Sequence, residues 1–526
     1  MEPALELRGI DKRFGPVHAN RAVSLSVGPG TVHGIIGENG AGKSTLMNIV
    51  YGFLRADAGE VRVHGRTVDI RRPHDAIGAG IGMVHQHFML VENFTVLENV
   101  VLGAEGGPLL GRGLGPARAE LERLGRDYGL EAPLDEPVGQ LPVGLQQRVE
   151  ILKALYRGAD ILILDEPTAV LTPQEAGQLF RMLARLRGQG KTAVLVTHKL
   201  REIMAIADRV TVMRQGAVVA EMATADTSPR ELAEKMVGRP VLLDVQKTAA
   251  RPGEPLLEVA DLEVRDRRGI ARVKGISFSV RAAEIVGIAG VAGNGQTELL
   301  EALAGISAPS RGRIMLAGRE VPAGARDRRN RGLAHVPEDR LKMGVVASFS
   351  AEDNGILGYH TRPEYLHGPF LNRAAIRSGC ARKMSEWDVR PREPRRRIGA
   401  FSGGNQQKLV VAREVDSRPR VLIVGQPTRG VDIGAIEFIH RRLVALRDSG
   451  VAILLISVEL DEILGLSDRI LVMAGGEISG ELDRSEATEE RLGLMMAGIG
   501  REEGGFGGSG AQPDGGAAPA GKGAGG

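Results

Sequence analysis

Residues 37–44 read GENGAGKS and fit the pattern G-x-x-x-x-G-K-[ST]. Glycines at this spacing let successive backbone N–H groups turn inward around phosphate, and the start of a following helix adds positive potential. Lys43 is placed to reach the β- and γ-phosphates of ATP, and the Ser44 hydroxyl to ligate Mg2+. Gly37, Glu38, Asn39, Gly40, Ala41, Gly42, Lys43, Ser44 and Thr45 are therefore the expected nucleotide contacts. Farther along, the apolar run ILIL at 161–164 ends in Asp165 and Glu166. A strand ending there sets Asp165 beside the metal and leaves Glu166 to polarise an attacking water.

These groups need rigid elements. The order 32–36, Gly-rich loop, 43–51 reads as strand, loop and helix. The short apolar runs at 161–164 and 193–197, bounded by polar turns, are typical of buried parallel strands. The expected class is α/β with a P-loop core.

The chain also repeats itself. Residues 24–65 align without a gap to 277–318, matching Gly37 to Gly290, Gly59 to Gly312 and Gly65 to Gly318. ILILDEPT at 161–168 aligns to VLIVGQPT at 421–428. A match this long means duplication of a whole domain, with a period far beyond that of a solenoid. Domains are expected at about 4–240 and 255–498, joined by the short linker KTAARPGEP. The Gly/Ala/Pro-rich stretch 501–526 is expected to be disordered.

Three further segments bring a family into view. LPVGLQQRVEILKALYRGA at 141–159 resembles the signature segment of ABC ATPases, His85-Gln86-His87 their glutamine loop, and Thr197-His198 their switch-histidine loop. The resemblance implies two tandem P-loop ATPase domains, each with a helical signature subdomain. It implies that Gln86 senses the metal and water and that His198 contacts the γ-phosphate. Phe14, in DKRFGPVHA, matches the aromatic that stacks on adenine; plain packing of the ring is the alternative.

The second half loses this chemistry position by position. Lys43 aligns with Gln296, Ser44 with Thr297, Asp165 with Gly425, Glu166 with Gln426 and His198 with Val458, while the segment 337–340, PEDR, replaces Gln86. Losing both the general base and the charge stabilisation costs orders of magnitude in rate, so the second loop is not expected to hydrolyse ATP. The signature segments show the reverse polarity. Ser402-Gly403-Gly404 keeps the family's Ser-Gly-Gly, whereas the first half has Pro142 and Val143. In the family two such domains pack head to tail. One complete ATP site would then combine the first P-loop with Ser402–Gly404 of the second half, and one defective site would combine the rest.

Two ABC domains in one chain resemble the ATPases of nucleoside and simple-sugar importers, as do HQHFMLVENFTVLENVVLG at 85–103 and HVPEDR at 335–340. That resemblance implies two membrane permease subunits, an extracytoplasmic substrate-binding protein or lipoprotein, and a peripheral place on the cytoplasmic face of the inner membrane. Phe88, Met89, Leu90 and Phe94 either meet the permeases or build the helical subdomain's own core. Composition agrees with this reading. A net charge of +3 with both signs interspersed gives no nucleic-acid groove. No apolar stretch approaches the ~20 residues of a membrane span, and the first ten residues lack a secretory pattern. The one cysteine, Cys380, excludes an intrachain disulfide and a four-thiolate zinc site. The rival reading is a soluble tandem ABC ATPase acting on ribosomes. By resemblance that would need a long charged helical linker and two intact sites.

Overall fold

A computed structural model describes residues 2–15, 17–85, 89–104, 110–168, 171, 173–240, 245, 247–266, 268–291, 293–496 and 498. The expected tail, 501–526, lies outside the described residues.

In the first half a six-stranded sheet has the spatial order Ala217–Ala223, Arg209–Arg214, Val32–Gly37, Thr192–Thr197, Ile161–Asp165, Ile81–Val84. All neighbours are parallel except the outermost hairpin, Arg209–Arg214 with Ala217–Ala223. The second half repeats the order with Glu477–Asp483, Arg469–Ala474, Ile285–Ala289, Ala452–Ser457, Val421–Gly425 and Leu333–Val336. Every residue of the central strands Val32–Gly37, Ile161–Asp165 and Thr192–Thr197 is buried. Their near-continuous apolar runs follow from burial on both faces of the sheet.

One face is covered by the helix Lys43–Tyr51 and by an antiparallel sheet that includes Leu5–Phe14 and Val17–Val27. Leu46, Met47 and Val50 of that helix join Leu5, Leu7 and Ile10 in a single core. The other face carries the helices Leu110–Tyr128 and Val143–Tyr156, through Leu121, Leu124, Val149 and Leu152. The helix–sheet layers bear out the α/β expectation.

The linker is pinned to the second half. Lys247 Nζ donates to the Leu466 carbonyl and to Asp468, each at 2.9 Å, and the fully buried Arg447 donates to the Thr248 carbonyl at 3.0 Å. The halves also touch reciprocally. Helix Pro229–Val237 packs on Ile433–Asp448, and helix Pro173–Gly188 on Glu489–Met496. Among the described residues no helix is long and apolar enough to cross a membrane.

Candidate active site

The phosphate loop is built by glycines that no other residue replaces. Gly40 and Gly42 take φ of 81° and 97°, the left-handed region that favours glycine. A Cβ on Gly42 would run into the Ala19 carbonyl and lie 2.8 Å from Asn20 Nδ2. Lys43, the first residue of its helix, is buried and folds back over the loop, donating to the carbonyls of Gly37 at 2.7 Å and Glu38 at 3.1 Å. Burial lowers its pKa, against the opposing charges of Glu166, Asp165 and Glu38.

Those carboxylates converge on it. Asp165 ends its strand close to the Ser44 hydroxyl and is 8% exposed. Among the described residues its Oδ1 has no hydrogen-bond partner, as suits an oxygen kept for a cation. Burial, then the Glu166 charge, raises its pKa. Glu166 sits at φ 49°, a strained conformation for a residue with a side chain. Its Oε1 lies 2.9 Å from Nδ1 of His198. Burial opposes charging of His198, but the hydrogen bond and charge of Glu166, joined by Glu459, outweigh it and raise the pKa.

The second half closes over the same loop. The backbone of Gly434, in the helix Ile433–Asp448, comes close to the Glu38 carboxylate. Burial and the neighbouring charge of Asp432 raise the pKa of Glu38. Asp432 caps that helix through Ala435 N at 2.7 Å, and a Cβ on Gly404 would lie 2.6 Å from its other oxygen. Asp432 thus stands between the signature and the first P-loop. Ser402 caps its own helix, Gly403–Asp416, accepting from the Asn405 backbone N–H at 3.4 Å and also from its Nδ2 at 2.8 Å. In the first half Pro142 occupies that cap with no side-chain hydrogen bond.

The transporter family model named ABC transporter matches residues 20–169 and 273–429, more than half of the chain. The chain belongs to the ABC transporter family. Among its relatives, the nucleoside import ATP-binding protein NupA of Lactococcus lactis subsp. cremoris is 46% identical over 94% of this chain and 98% of its own. The guanosine import ATP-binding protein NupO of Bacillus subtilis is 45% identical over 96% and 99%. The ribose import ATP-binding protein RbsA 1 of Rubrobacter xylanophilus is 42% identical over 95% and 99%. This ABC protein is an ATP-binding and ATP-hydrolysing transporter subunit.

The structure brings Lys43, Ser44, Asp165, Glu166 and His198 of the ABC transporter subunit into one cluster. Phe14 stands apart at a strand end, 45% exposed, with Lys12 Nζ 5.6 Å from its ring centroid. Gln86 and Phe88 lie outside the described residues. Met89 is exposed, whereas Leu90 packs on the core and Phe94 is half-buried. Sequence reasoning missed Asp432, Gly434 and Arg239, which pairs with Glu437 at 3.0 Å across the halves. No local motif marks contacts between residues about 200–400 positions apart.

Proposed function

We propose that this chain energises import of a nucleoside or simple sugar, with one hydrolytic ATP site shared between its halves, 4–240 and 255–498. What carries the reading is that equivalent positions hold Asp165, Glu166 and His198 in one half but Gly425, Gln426 and Val458 in the other. Glu166 acts as the water-polarising carboxylate, held by His198 Nδ1, which leaves the other ring nitrogen for the γ-phosphate. Lys43 balances phosphate charge, and Phe14 stacks on adenine. Mg2+ held by Ser44, Asp165 and Gln86 would neutralise the phosphates and orient them for in-line attack. Ser402, Gly403 and Gly404 complete the site from the other half, with Asp432 and Gly434 aligning them against Glu38.

The printed names of the relatives, nucleoside, guanosine and ribose import, support the importer reading. The chain then sits peripherally on the cytoplasmic face of the inner membrane, bound to two permease subunits that receive substrate from an extracytoplasmic binding protein or lipoprotein. The test is reconstitution with candidate permeases in proteoliposomes. ATP-driven nucleoside or sugar uptake supports the reading. Failure to bind any permease, with sedimentation on ribosomes instead, would favour the soluble alternative.

A further inference from the structure

The backbone joins the segments that carry Glu166 and His198 just as it joins their counterparts in the second half. The Glu166 N–H donates to the Val196 carbonyl at 2.8 Å, and the Gln426 N–H to the Ile456 carbonyl at 2.8 Å. The side chains beside that shared register differ. In the first half Glu202, in the helix Leu200–Ile206, is 9% exposed and reaches both segments. The hydroxyl of Thr168, two residues after Glu166, donates to one of its carboxylate oxygens. The hydroxyl of Thr197, immediately before His198, donates to the other at 3.2 Å. Lys199 Nζ lies 4.0 Å from the same carboxylate and 3.2 Å from Glu459 of the second half. Burial raises the pKa of Glu202, against the charge of Lys199 and the two hydroxyl bonds.

The second half keeps the carboxylate as Glu462 and the hydroxyls as Thr428 and Ser457. Among the described residues the link is not repeated. Glu462 Oε1 pairs instead with His440 Nε2, 2.9 Å away on the helix Ile433–Asp448. Its buried Oε2 has no hydrogen-bond partner among the described residues. Phe180 stands at the position of His440 in the first half and offers Glu202 no competing hydrogen bond. The equivalent carboxylate thus ties the two segments together only in the half that holds Glu166 and His198.

We propose that Glu202 is a positioning residue for hydrolysis, fixing Glu166 and His198 relative to each other through Thr168 and Thr197. It acts through those hydroxyls and not on the reacting atoms. This role rests on the reading of Glu166 as the water-polarising carboxylate and His198 as the γ-phosphate contact. The 2.9 Å contact between them, with Glu166 strained at φ 49°, persists only while both segments are held. Misplacing a reacting group by about 1 Å costs up to about a hundredfold in rate. Loosening the segments therefore lowers turnover, while phosphate binding by Lys43 and the first loop continues.

The test compares kcat, KM for ATP and melting temperature in the purified transporter complex. Glu202→Ala should lower kcat about tenfold or more and leave KM within about twofold. Glu202→Gln, whose amide can still bond both hydroxyls, should restore kcat to within about threefold of wild type. Glu462→Ala takes the partner from His440 and should leave kcat within about twofold. In the Glu166→Gln background, Glu202→Ala should change the residual rate by less than about twofold, whereas the loss from a general structural defect would multiply. If Glu202→Ala does not fold, Thr168→Val, which removes one hydroxyl, should lower kcat at least about threefold with KM unchanged. Wild-type kcat in folded Glu202→Ala or Thr168→Val overturns this role, as do losses that multiply with Glu166→Gln or an equal loss from Glu462→Ala. Unchanged turnover in Glu166→Gln alone would instead refute the catalytic reading beneath it.

Discussion

Lys199 and Glu459 occupy the same position of the repeat, and they face each other as an ion pair at 3.2 Å. Two residues on, Arg201 and Asp461 repeat the relationship at 2.7 Å. Equivalent residues meet only near a two-fold axis, so the halves of this chain are arranged around a pseudo-two-fold. At that axis the charges are opposite only when a first half meets a second half. Two first halves would set Lys199 and Arg201 against their own copies. The pairing therefore opposes mismatched association, and it places the residue after His198 in direct contact with the partner half.

Glu459→Lys should put two ammonium groups at the axis. We expect weaker docking of the halves and lower ATPase activity, with the swap Lys199→Glu/Glu459→Lys recovering most of both. A double-mutant cycle on thermal stability should return a coupling of about 1 kcal/mol, falling with added salt. Zero coupling at low salt would mean that the pair has no part in joining the halves.

The helix caps give a second contrast. Ser402→Ala removes the cap of Gly403–Asp416, which costs about 1 kcal/mol. It also strips the signature hydroxyl, so ATPase activity should fall far more than the stability loss explains. Pro142→Ser adds a cap at the matching helix Val143–Tyr156 and should raise the melting temperature while leaving turnover unchanged. A rise in turnover with Pro142→Ser would show that the other composite site also hydrolyses.

Separation along the chain decides which of these residues are legible in the sequence. Lys43, Ser44, Asp165 and Glu166 could be read because loop–helix and strand-end spacing carries their geometry with it. The duplicated sheet order followed from the repeat. Glu38 with Gly434, or Lys199 with Glu459, could not be read, since only tertiary packing brings such distant residues together. Glu338 was visible as a replacement for Gln86, but its occupation of the space at Gly425 was not. A side chain crossing from one loop to another leaves no periodic trace.

The Glu166–His198 contact predicts a pH dependence. The folded pKa of His198 is raised above its ordinary value, so the pair stabilises the folded state fully below about pH 6.5. That contribution is lost as pH rises through the elevated folded value. The stability difference between the wild type and His198→Gln should therefore shrink as pH increases from about 6 toward 8. Thermal melts across that range check it; a difference that grows with pH would reverse the assignment.

Under the proposed function, one of the two P-loops hydrolyses ATP. Steady-state ATPase activity of the purified transporter complex, compared across paired substitutions, tests it most directly. Lys43→Ala and Glu166→Gln should each lower the rate by about two orders of magnitude or more. Their counterparts, Gln296→Ala and Gln426→Ala, should leave it within about twofold, since neither residue offers charge or a base to the reaction. Equal losses from the two sets would mean that both loops turn over, and unchanged turnover in Glu166→Gln that Glu166 is not the water-polarising carboxylate.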